Sequence, residues 1–156
     1  MATAVITGAN RGLGLEMAKQ YAAHGWDVIG TAREPEKAKE LNAIDKITVL
    51  QLDAAEDASI EKFAQQLGDR PVDLFINNAG IYGPSELDRE QWLDLLNVNV
   101  VGPVKLATAL KDNVAKSRDR KMVVISSQVG SIAENDSGSM MYYLSLIHIS
   151  EPTRPY

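Results

Sequence analysis

A glycine-rich segment follows the first apolar run of the chain, and its residue types are those that bind phosphate groups. The run Thr3–Thr7 reads as a β-strand, and Thr7-Gly8-Ala9-Asn10-Arg11-Gly12-Leu13-Gly14 leads directly into a helical pattern. Glycines allow positive φ and let a pyrophosphate approach backbone N–H groups, and the next helix presents the positive end of its dipole. The segment therefore predicts a dinucleotide-binding turn. A purely structural glycine turn is the alternative.

The elements that must position this turn are apolar runs of strand length, which alternate with helical patterns. Such alternation is typical of a parallel sheet with helices on both faces. The predicted strands are Thr3–Thr7, Asp27–Ala32, Lys46–Leu52, Val72–Asn77 and Lys121–Ser126. The predicted helices include Pro35–Leu41, Ala58–Leu67 and a long one from about Asp88 to Ser117. No linker, internal repeat or low-complexity tract interrupts the pattern.

Composition and charge favour one domain without a metal centre or a nucleic-acid surface. The 156 residues are 45% hydrophobic and carry a formal net charge of −5, and no arginine-rich stripe is interleaved with aromatics. With no cysteine and two scattered histidines, disulfides are excluded and a metal site is not expected. No uninterrupted apolar run reaches bilayer length and no secretory signal is visible, so we expect a cytoplasmic protein without a membrane partner.

The long helical region carries one polar residue on its apolar stripe. Its spacing brings Asn99 close to the face that is formed by Trp92, Leu95, Leu106 and Leu110. Pro103 has no backbone N–H, so it should kink the helix and free a carbonyl near Asn99. Asn99 is therefore a candidate site residue. The alternative is an asparagine that only satisfies itself in a half-buried groove.

Four motifs in this order resemble the short-chain dehydrogenase/reductase family: Thr7-Gly8-x-x-x-Gly12-x-Gly14, Asn77-Asn78-Ala79-Gly80, Asn99-x-x-Gly102 and Ile125-Ser126-Ser127. The resemblance extends to Tyr143. Within it, Gly130-Ser131-Ile132 and Asn135-Asp136-Ser137-Gly138 are most similar to sniffer-type and C-factor-like carbonyl reductases. It implies an α/β Rossmann-type doubly wound parallel sheet. Five strands in the order 3-2-1-4-5 are present here, and the last two of the family are missing.

The resemblance also implies an activity and a set of cofactor-binding residues. The implied reaction is hydride transfer to or from a small carbonyl or alcohol substrate, in a protein that forms homo-oligomers. The residues implied for the pyrophosphate and adenosine ribose are Gly8, Asn10, Arg11, Gly12, Leu13 and Gly14. Asp53 and Ala54 are implied to flank the adenine, and Asn78, Ala79 and Gly80 the nicotinamide. A simple turn that ends the fourth strand remains the alternative for Asn77 to Gly80.

The end of the second predicted strand bears on the choice of cofactor. An acid there would bind both ribose hydroxyls and repel a 2′-phosphate, but this strand ends Gly30-Thr31-Ala32-Arg33. Arg33 offers a guanidinium, and Arg11 adds a cation where similar enzymes favour the phosphorylated cofactor. We therefore expect NADP(H) to be preferred over NAD(H). The alternative is that both arginines are ordinary solvated charges.

Catalysis in the family implies Ser127, Tyr143 and Asn99 as catalytic residues. Ser127 would bond the substrate oxygen and Tyr143 would donate a proton, with Tyr142 as the alternative tyrosine. A phenol needs a nearby cation to act near neutral pH, and the family places a lysine four residues after the tyrosine. Here that position is Ile147. Asn99, which would hold a water beside the lysine, also loses its partner, so we expect the chain as given to be inactive.

We expect the last residues to have an unusual origin. Residues 144–156 begin Leu144-Ser145-Leu146-Ile147-His148-Ile149-Ser150, and this stretch through Arg154 back-translates codon for codon into a transposon end sequence used to prepare sequencing libraries. We expect a Rossmann domain over residues 1–143, truncated, followed by an artefactual disordered tail; a genuine short tail is the alternative. Truncation should expose apolar surface on the fifth strand and the long helix.

Overall fold

The computed structural model describes residues 1–82 and 88–127. The strands along these residues are β1 (Thr3–Ile6), β2 (Asp27–Ala32), β3 (Ile47–Gln51), β4 (Leu74–Asn77) and β5 (Lys121–Val124). The α-helices are α1 (Gly12–Ala23), α2 (Lys39–Asn42), α3 (Asp57–Leu67), α4 (Arg89–Leu96) and α5 (Gly102–Ala115). A 3₁₀ turn (Pro35–Lys37) precedes α2, and a π-helical turn (Asn97–Val101) joins α4 to α5.

All strands pair in parallel in the order β3-β2-β1-β4-β5, which confirms the predicted Rossmann-type sheet. The chain builds β1, β2 and β3 outward in one direction and then returns to place β4 on the other side of β1. Parallel strands bring their carboxyl ends to one edge, and a crevice for a ligand opens where the strand order reverses. That point lies between β1 and β4.

Two apolar layers cover the sheet, one on each face. The first packs Leu15, Ala18 and Ala22 of α1 and Leu41 of α2 against the sheet. The second packs α3 and α5 through Ile60, Phe63, Leu67, Leu106, Leu110 and Val114. β1 lies between both layers, and its four residues are all buried. Because each large apolar side chain contributes about 1.5–3 kcal/mol when fully buried, these layers fix where the carboxyl edge lies.

The sequence prediction of a single helix over Pro35–Leu41 is wrong in detail. A 3₁₀ turn and the four-residue α2 take its place, with Ala38 between them. The segment is too short to gain from cooperative helix propagation. Its side chains instead satisfy the backbone locally, because the Asn42 amide donates to the Pro35 carbonyl at 2.7 Å.

The predicted long helix is present and is irregular where Pro103 was expected to disturb it. The Gly102 N–H donates to the Asn97 carbonyl, five residues back, and Pro103 has no N–H to give Asn99. The helical stretch Arg89–Ala115 has 27 residues, and its length and composition alone would allow it to cross a membrane. One such helix is weak evidence for a span. Leu106 and Leu110 of the same stretch lie fully buried in the second apolar layer.

The amino-terminal edge of the sheet is closed by two polar side chains. The Asp73 carboxylate accepts from the Thr3 N–H at 2.8 Å and more weakly from the Arg118 N–H at 3.3 Å. The buried Asn113 amide donates to the Gly68 and Arg70 carbonyls at 2.7 and 2.8 Å. These bonds tie the connection before β4 to α5, and so hold β4 in place.

Apolar side chains are exposed on β5 and along the outer side of the long helix, as expected from the sequence. On the strand and just after it they are Met122, Val123, Val124 and Ile125, and on the helical stretch Leu93, Val101 and Val104. Val124 and Val104 each expose about three fifths of their surface, 61% and 63%. Both surfaces are of the kind that a further layer of protein covers.

Candidate functional site

The buried hydroxyl of Thr7 lies at the switch point between β1 and β4 and bonds three groups. It donates to the side-chain oxygen of Asn77 at 3.2 Å. It accepts from the backbone N–H groups of Asn78 at 3.0 Å and Ala79 at 2.9 Å. One side chain at the end of β1 therefore sets the path of the chain that leaves β4.

Asn78 makes the reciprocal connection from β4 to the glycine turn. Its amide donates to the carbonyls of Thr7 at 2.9 Å and Gly8 at 3.2 Å. A Cβ on Gly14 would lie 2.5 Å from that amide nitrogen and would overlap the Gly8 carbonyl. Gly8 itself has φ +63°, and a Cβ on it would lie 3.0 Å from the Cα of Ala79. Glycine is thus required at both positions to bring the turn, α1 and Asn78 together.

The amino-terminal end of α1 is open. Its N-cap residue is Arg11, which makes no capping side-chain bond, and no acidic residue occupies the first turn. Gly12 has φ +55°, and a Cβ built on it would meet no atom within 4 Å. The first N–H groups of a helix have no partner within the helix and carry a partial positive charge. This open end, beside the switch point, fits the pyrophosphate of a dinucleotide.

The end of β2 lies beside the glycine turn and carries Arg33. The Thr31 carbonyl accepts from the Ala9 N–H at 2.9 Å, which holds the turn against β2. Arg33 is exposed, and among residues 1–82 and 88–127 neither its guanidinium nor that of Arg11 forms an ion pair. The acid next to it, Glu34, instead bonds Lys37 and raises the pKa of that ammonium. Arg33 is therefore available to an anionic ligand.

The loop after β3 holds the residues predicted to flank the adenine. The Asp53 carboxylate accepts from the Ala55 N–H at 3.0 Å, and the Asp53 N–H donates to the Ser59 hydroxyl at 2.8 Å. Ala54 is buried in the second apolar layer. Asp53 thus orders its own loop with its side chain, at the same edge as the glycine turn.

The structure shows two hydrogen bonds of Asn99 that neither alternative from the sequence included. Its side-chain oxygen accepts from the Ile81 N–H at 2.9 Å, and its amide donates to the Ile81 carbonyl at 2.8 Å. Gly80 lies alongside, where a Cβ would be 3.3 Å from the Asn99 oxygen. Asn99 therefore holds the segment that follows Asn78 and Ala79, through a pair of bonds like those of a strand pair.

Ser127 follows β5 and is half-buried. The Ile125 N–H donates to the Asn77 carbonyl at 2.9 Å, which continues the pairing of β5 with β4 up to the residues before Ser127. Tyr143, the alternative Tyr142, and residues 144–156 lie outside the described residues. The structure thus brings the site residues predicted at the ends of the first four strands to one edge of the sheet, together with Ser127.

Sequence reasoning missed the roles of Thr7, whose hydroxyl bonds the end of β4 and the residues after it, and of Thr31, which bonds the glycine turn. A threonine that ends a buried strand directly before a glycine turn is the signal that could have found the first of them. The amide nitrogen of Asn77 is buried without a hydrogen-bond partner in the described part of the chain. No group of three acidic or histidine side chains that could hold a metal ion occurs there either.

Comparisons with known proteins agree with this architecture. The short chain dehydrogenase family model matches residues 2–143. The 3-oxoacyl-(acyl-carrier-protein) reductase FabG of Haemophilus influenzae is 34% identical over 137 residues, covering 82% of this chain and 56% of FabG. A carbonyl reductase of Pseudomonas aeruginosa PAO1, solved in complex with NADP, has a TM-score of 0.85 at 32% identity, covering 95% of this chain and 71% of that one. Sniffer of Caenorhabditis elegans, assigned as a carbonyl reductase, has a TM-score of 0.82 at 33% identity, covering 94% and 74%.

The fold and the site define a Rossmann-type domain in which a glycine turn leads into an uncapped helix end. The chain belongs to the short-chain dehydrogenase/reductase family. It spans a little over half the length of the curated relatives that it matches, 56% in the case of FabG.

Proposed function

We propose that the protein binds NADP(H) in preference to NAD(H) and that its parent enzyme reduces a small carbonyl compound or oxidises the corresponding alcohol. The observation that carries the proposal is the uncapped end of α1 at the switch point, with Arg33 exposed at the end of the neighbouring strand. The pyrophosphate would meet the N–H groups of Gly12, Leu13 and Gly14. A 2′-phosphate would meet the guanidinium groups of Arg33 and Arg11.

The proposed roles of Ser127, Asn78 and Asn99 rest on their positions at the same edge, and that of Tyr143 rests on the family resemblance. The bound nicotinamide supplies the hydride. Ser127 would donate a hydrogen bond to the substrate oxygen, and Tyr143 would deliver the proton to that oxygen. Asn78 and Asn99 would keep the backbone of Ala79 to Ile81 beside the nicotinamide, through the bonds described above. We place this activity in the cytoplasm, in a homo-oligomeric parent protein.

The cofactor preference is tested by reversing one charge. Arg33→Asp should weaken NADPH binding about 10- to 100-fold, since it removes a charge-assisted contact and repels the phosphate. NADH binding should change less. The matched control is Arg118→Asp: its side chain is 95% exposed and lies near the opposite edge of the sheet. Fluorescence titration of the 156-residue chain and of both variants with NADPH and NADH measures the six affinities. Equal losses of NADPH affinity in the two variants would mean that Arg33 does not bind the 2′-phosphate.

A second function is favoured by one feature of the sequence, namely Ile147 in place of a lysine four residues after Tyr143. The chain as given would then bind NADP(H) without turnover. Losing the activation of a general acid costs a factor on the order of 10² to 10⁴ in rate. We expect saturable NADPH binding but no NADPH oxidation above background with cyclohexanone, benzaldehyde or menadione. Turnover with any of these would mean that another group activates the tyrosine.

A further inference from the structure

The irregular turn between α4 and α5 contacts two separate parts of the site. We call Asn97–Gly102 the brace. It comprises the π-helical turn and the first residue of α5. On one side, Asn99 bonds the N–H and the carbonyl of Ile81. On the other side, Gly102 lies directly against Ala54. The brace thus lies between the segment proposed to flank the nicotinamide (the nicotinamide-side segment) and the loop after β3 that is proposed to flank the adenine (the adenine-side loop).

The contact between Gly102 and Ala54 leaves no room for a side chain. A Cβ on Gly102 would overlap the carbonyl oxygen of Ala54 and lie 3.2 Å from the Ala54 Cβ. Both residues are buried. One turn further along α5, Lys105 forms an ion pair with Asp57 at the start of α3. The first turns of α5 therefore contact both the loop after β3 and the helix that follows it.

The π-helical geometry makes this double contact possible. Replacing the usual bond with one between the Gly102 N–H and the Asn97 carbonyl inserts an extra residue into the turn. The insertion changes the direction in which the following residues face. Asn99 can then reach Ile81 while Gly102, three residues later, meets Ala54. Pro103 adds no N–H that would restore regular α-helical bonding to Asn99.

We propose that Gly102 is a positioning residue for the adenine half of the cofactor, and that the brace makes the adenine-side loop and the nicotinamide-side segment adopt their binding positions together. The inference rests on the proposed NADP(H) site. Displacing the Ala54 carbonyl would move Asp53 and Ala54 relative to the glycine turn, although Gly102 itself touches no ligand. The residue matters through its lack of a side chain, not through chemistry of its own.

The test uses Gly102→Ala and adenosine 2′,5′-bisphosphate, which carries the adenine, the 2′-phosphate and one phosphate of the pyrophosphate but no nicotinamide. Alanine normally stabilises a helix relative to glycine. Here we expect a lower unfolding midpoint and about tenfold weaker binding of the bisphosphate to the folded variant. The matched control is Gly25→Ala, where φ is +85° and a Cβ would meet no atom within 4 Å. It should lose stability and keep its affinity.

Two further measurements separate the possible outcomes. Adding Ala54→Gly to Gly102→Ala should recover part of the affinity, because it removes the Cβ at 3.2 Å and lets the Ala54 carbonyl shift. If Gly102→Ala does not fold, hydrogen exchange is measured on the unsubstituted chain instead. The bisphosphate should then slow exchange at residues 53–56 and in the brace together. Protection of residues 53–56 alone, or affinity loss equal to that of Gly25→Ala, overturns the inference. If the unsubstituted chain binds neither NADPH nor the bisphosphate, the proposed function fails and the inference fails with it.

Discussion

At the scale of single residues, the site depends on short polar side chains that join separate strands. The Thr7 hydroxyl serves as donor to one group and acceptor to two, all of them contributed by the chain at the end of β4. Asn78 returns two bonds to the start of the glycine turn. Since each buried polar group needs a partner, removing one member leaves the others unsatisfied. The turn and the β4 end therefore behave as one unit.

We expect Thr7→Val to destabilise the fold by about 2–4 kcal/mol, because two N–H groups and one amide oxygen lose their partner in a buried place. Thr7→Ser keeps the hydroxyl and removes one methyl group, so its cost should be about 1 kcal/mol. Urea unfolding followed by circular dichroism gives both values. NADPH affinity should fall in the valine variant and remain in the serine variant. Equal costs would mean that the methyl group, not the hydroxyl, is what β1 needs.

The sequence predicted the location of these residues but not their bonds. Thr7, Gly8 and Asn78 were placed at strand ends because apolar runs stop there and glycine or asparagine follows. Their hydrogen bonds join residues about seventy positions apart. Such pairing depends on strand order and register, which local patterns do not specify. The same reason explains why the contact of Gly102 with Ala54 was not predicted.

At the scale of elements, strands were predicted more accurately than helix details. Each predicted strand is present within two residues at either end, because each is an apolar run bounded by turn residues. Asn99 was expected on the apolar stripe of one long helix, and Pro103 was expected to disturb it. The disturbance is a π-helical turn that the pattern of apolar residues could not specify, since its benefit lies in contacts with Ile81 and Ala54.

Asn113 offers a test of how α5 supports β4. Its side-chain amide donates to the carbonyls of Gly68 and Arg70, and its backbone carbonyl accepts from the Val72 N–H at 3.0 Å. Asn113→Ala should cost about 1–3 kcal/mol in the free energy of unfolding, measured in urea, because two carbonyls lose their donor. The matched control is Asp69→Asn, which removes an exposed pair with Lys116 in the same connection. That exposed pair should contribute little.

The control also has a defined pH dependence. The bond from Lys116 holds the pKa of Asp69 below its usual value. A carboxyl whose pKa is lowered on folding stabilises the protein above its unfolded pKa of about 4 and loses that effect as pH falls through the lower folded value. The difference in the free energy of unfolding between the parent chain and Asp69→Asn should therefore shrink on acidification below about pH 4. A difference that grows on acidification would contradict the assigned direction.

At the scale of the whole molecule, one edge of the sheet carries the candidate site, and another part of the surface exposes apolar side chains. The exposed apolar residues on β5 and on the long helix form surfaces that water does not favour. Any ligand that binds only the folded chain raises the free energy of unfolding by mass action. Ligand binding is therefore best observed through unfolding.

NADPH should raise the thermal midpoint of the 156-residue chain by mass action. At a free concentration of one hundred times Kd, the native state gains about 2.7 kcal/mol, which for a chain of this length corresponds to about 5–10 °C. NADH at the same concentration should give a smaller shift, and Arg33→Asp should reduce the NADPH shift more than Arg118→Asp does. Differential scanning fluorimetry with increasing ligand measures these shifts. A cooperative transition that NADPH leaves unmoved would mean that the open end of α1 binds no dinucleotide, because a ligand with affinity for the native state alone must displace the folding equilibrium.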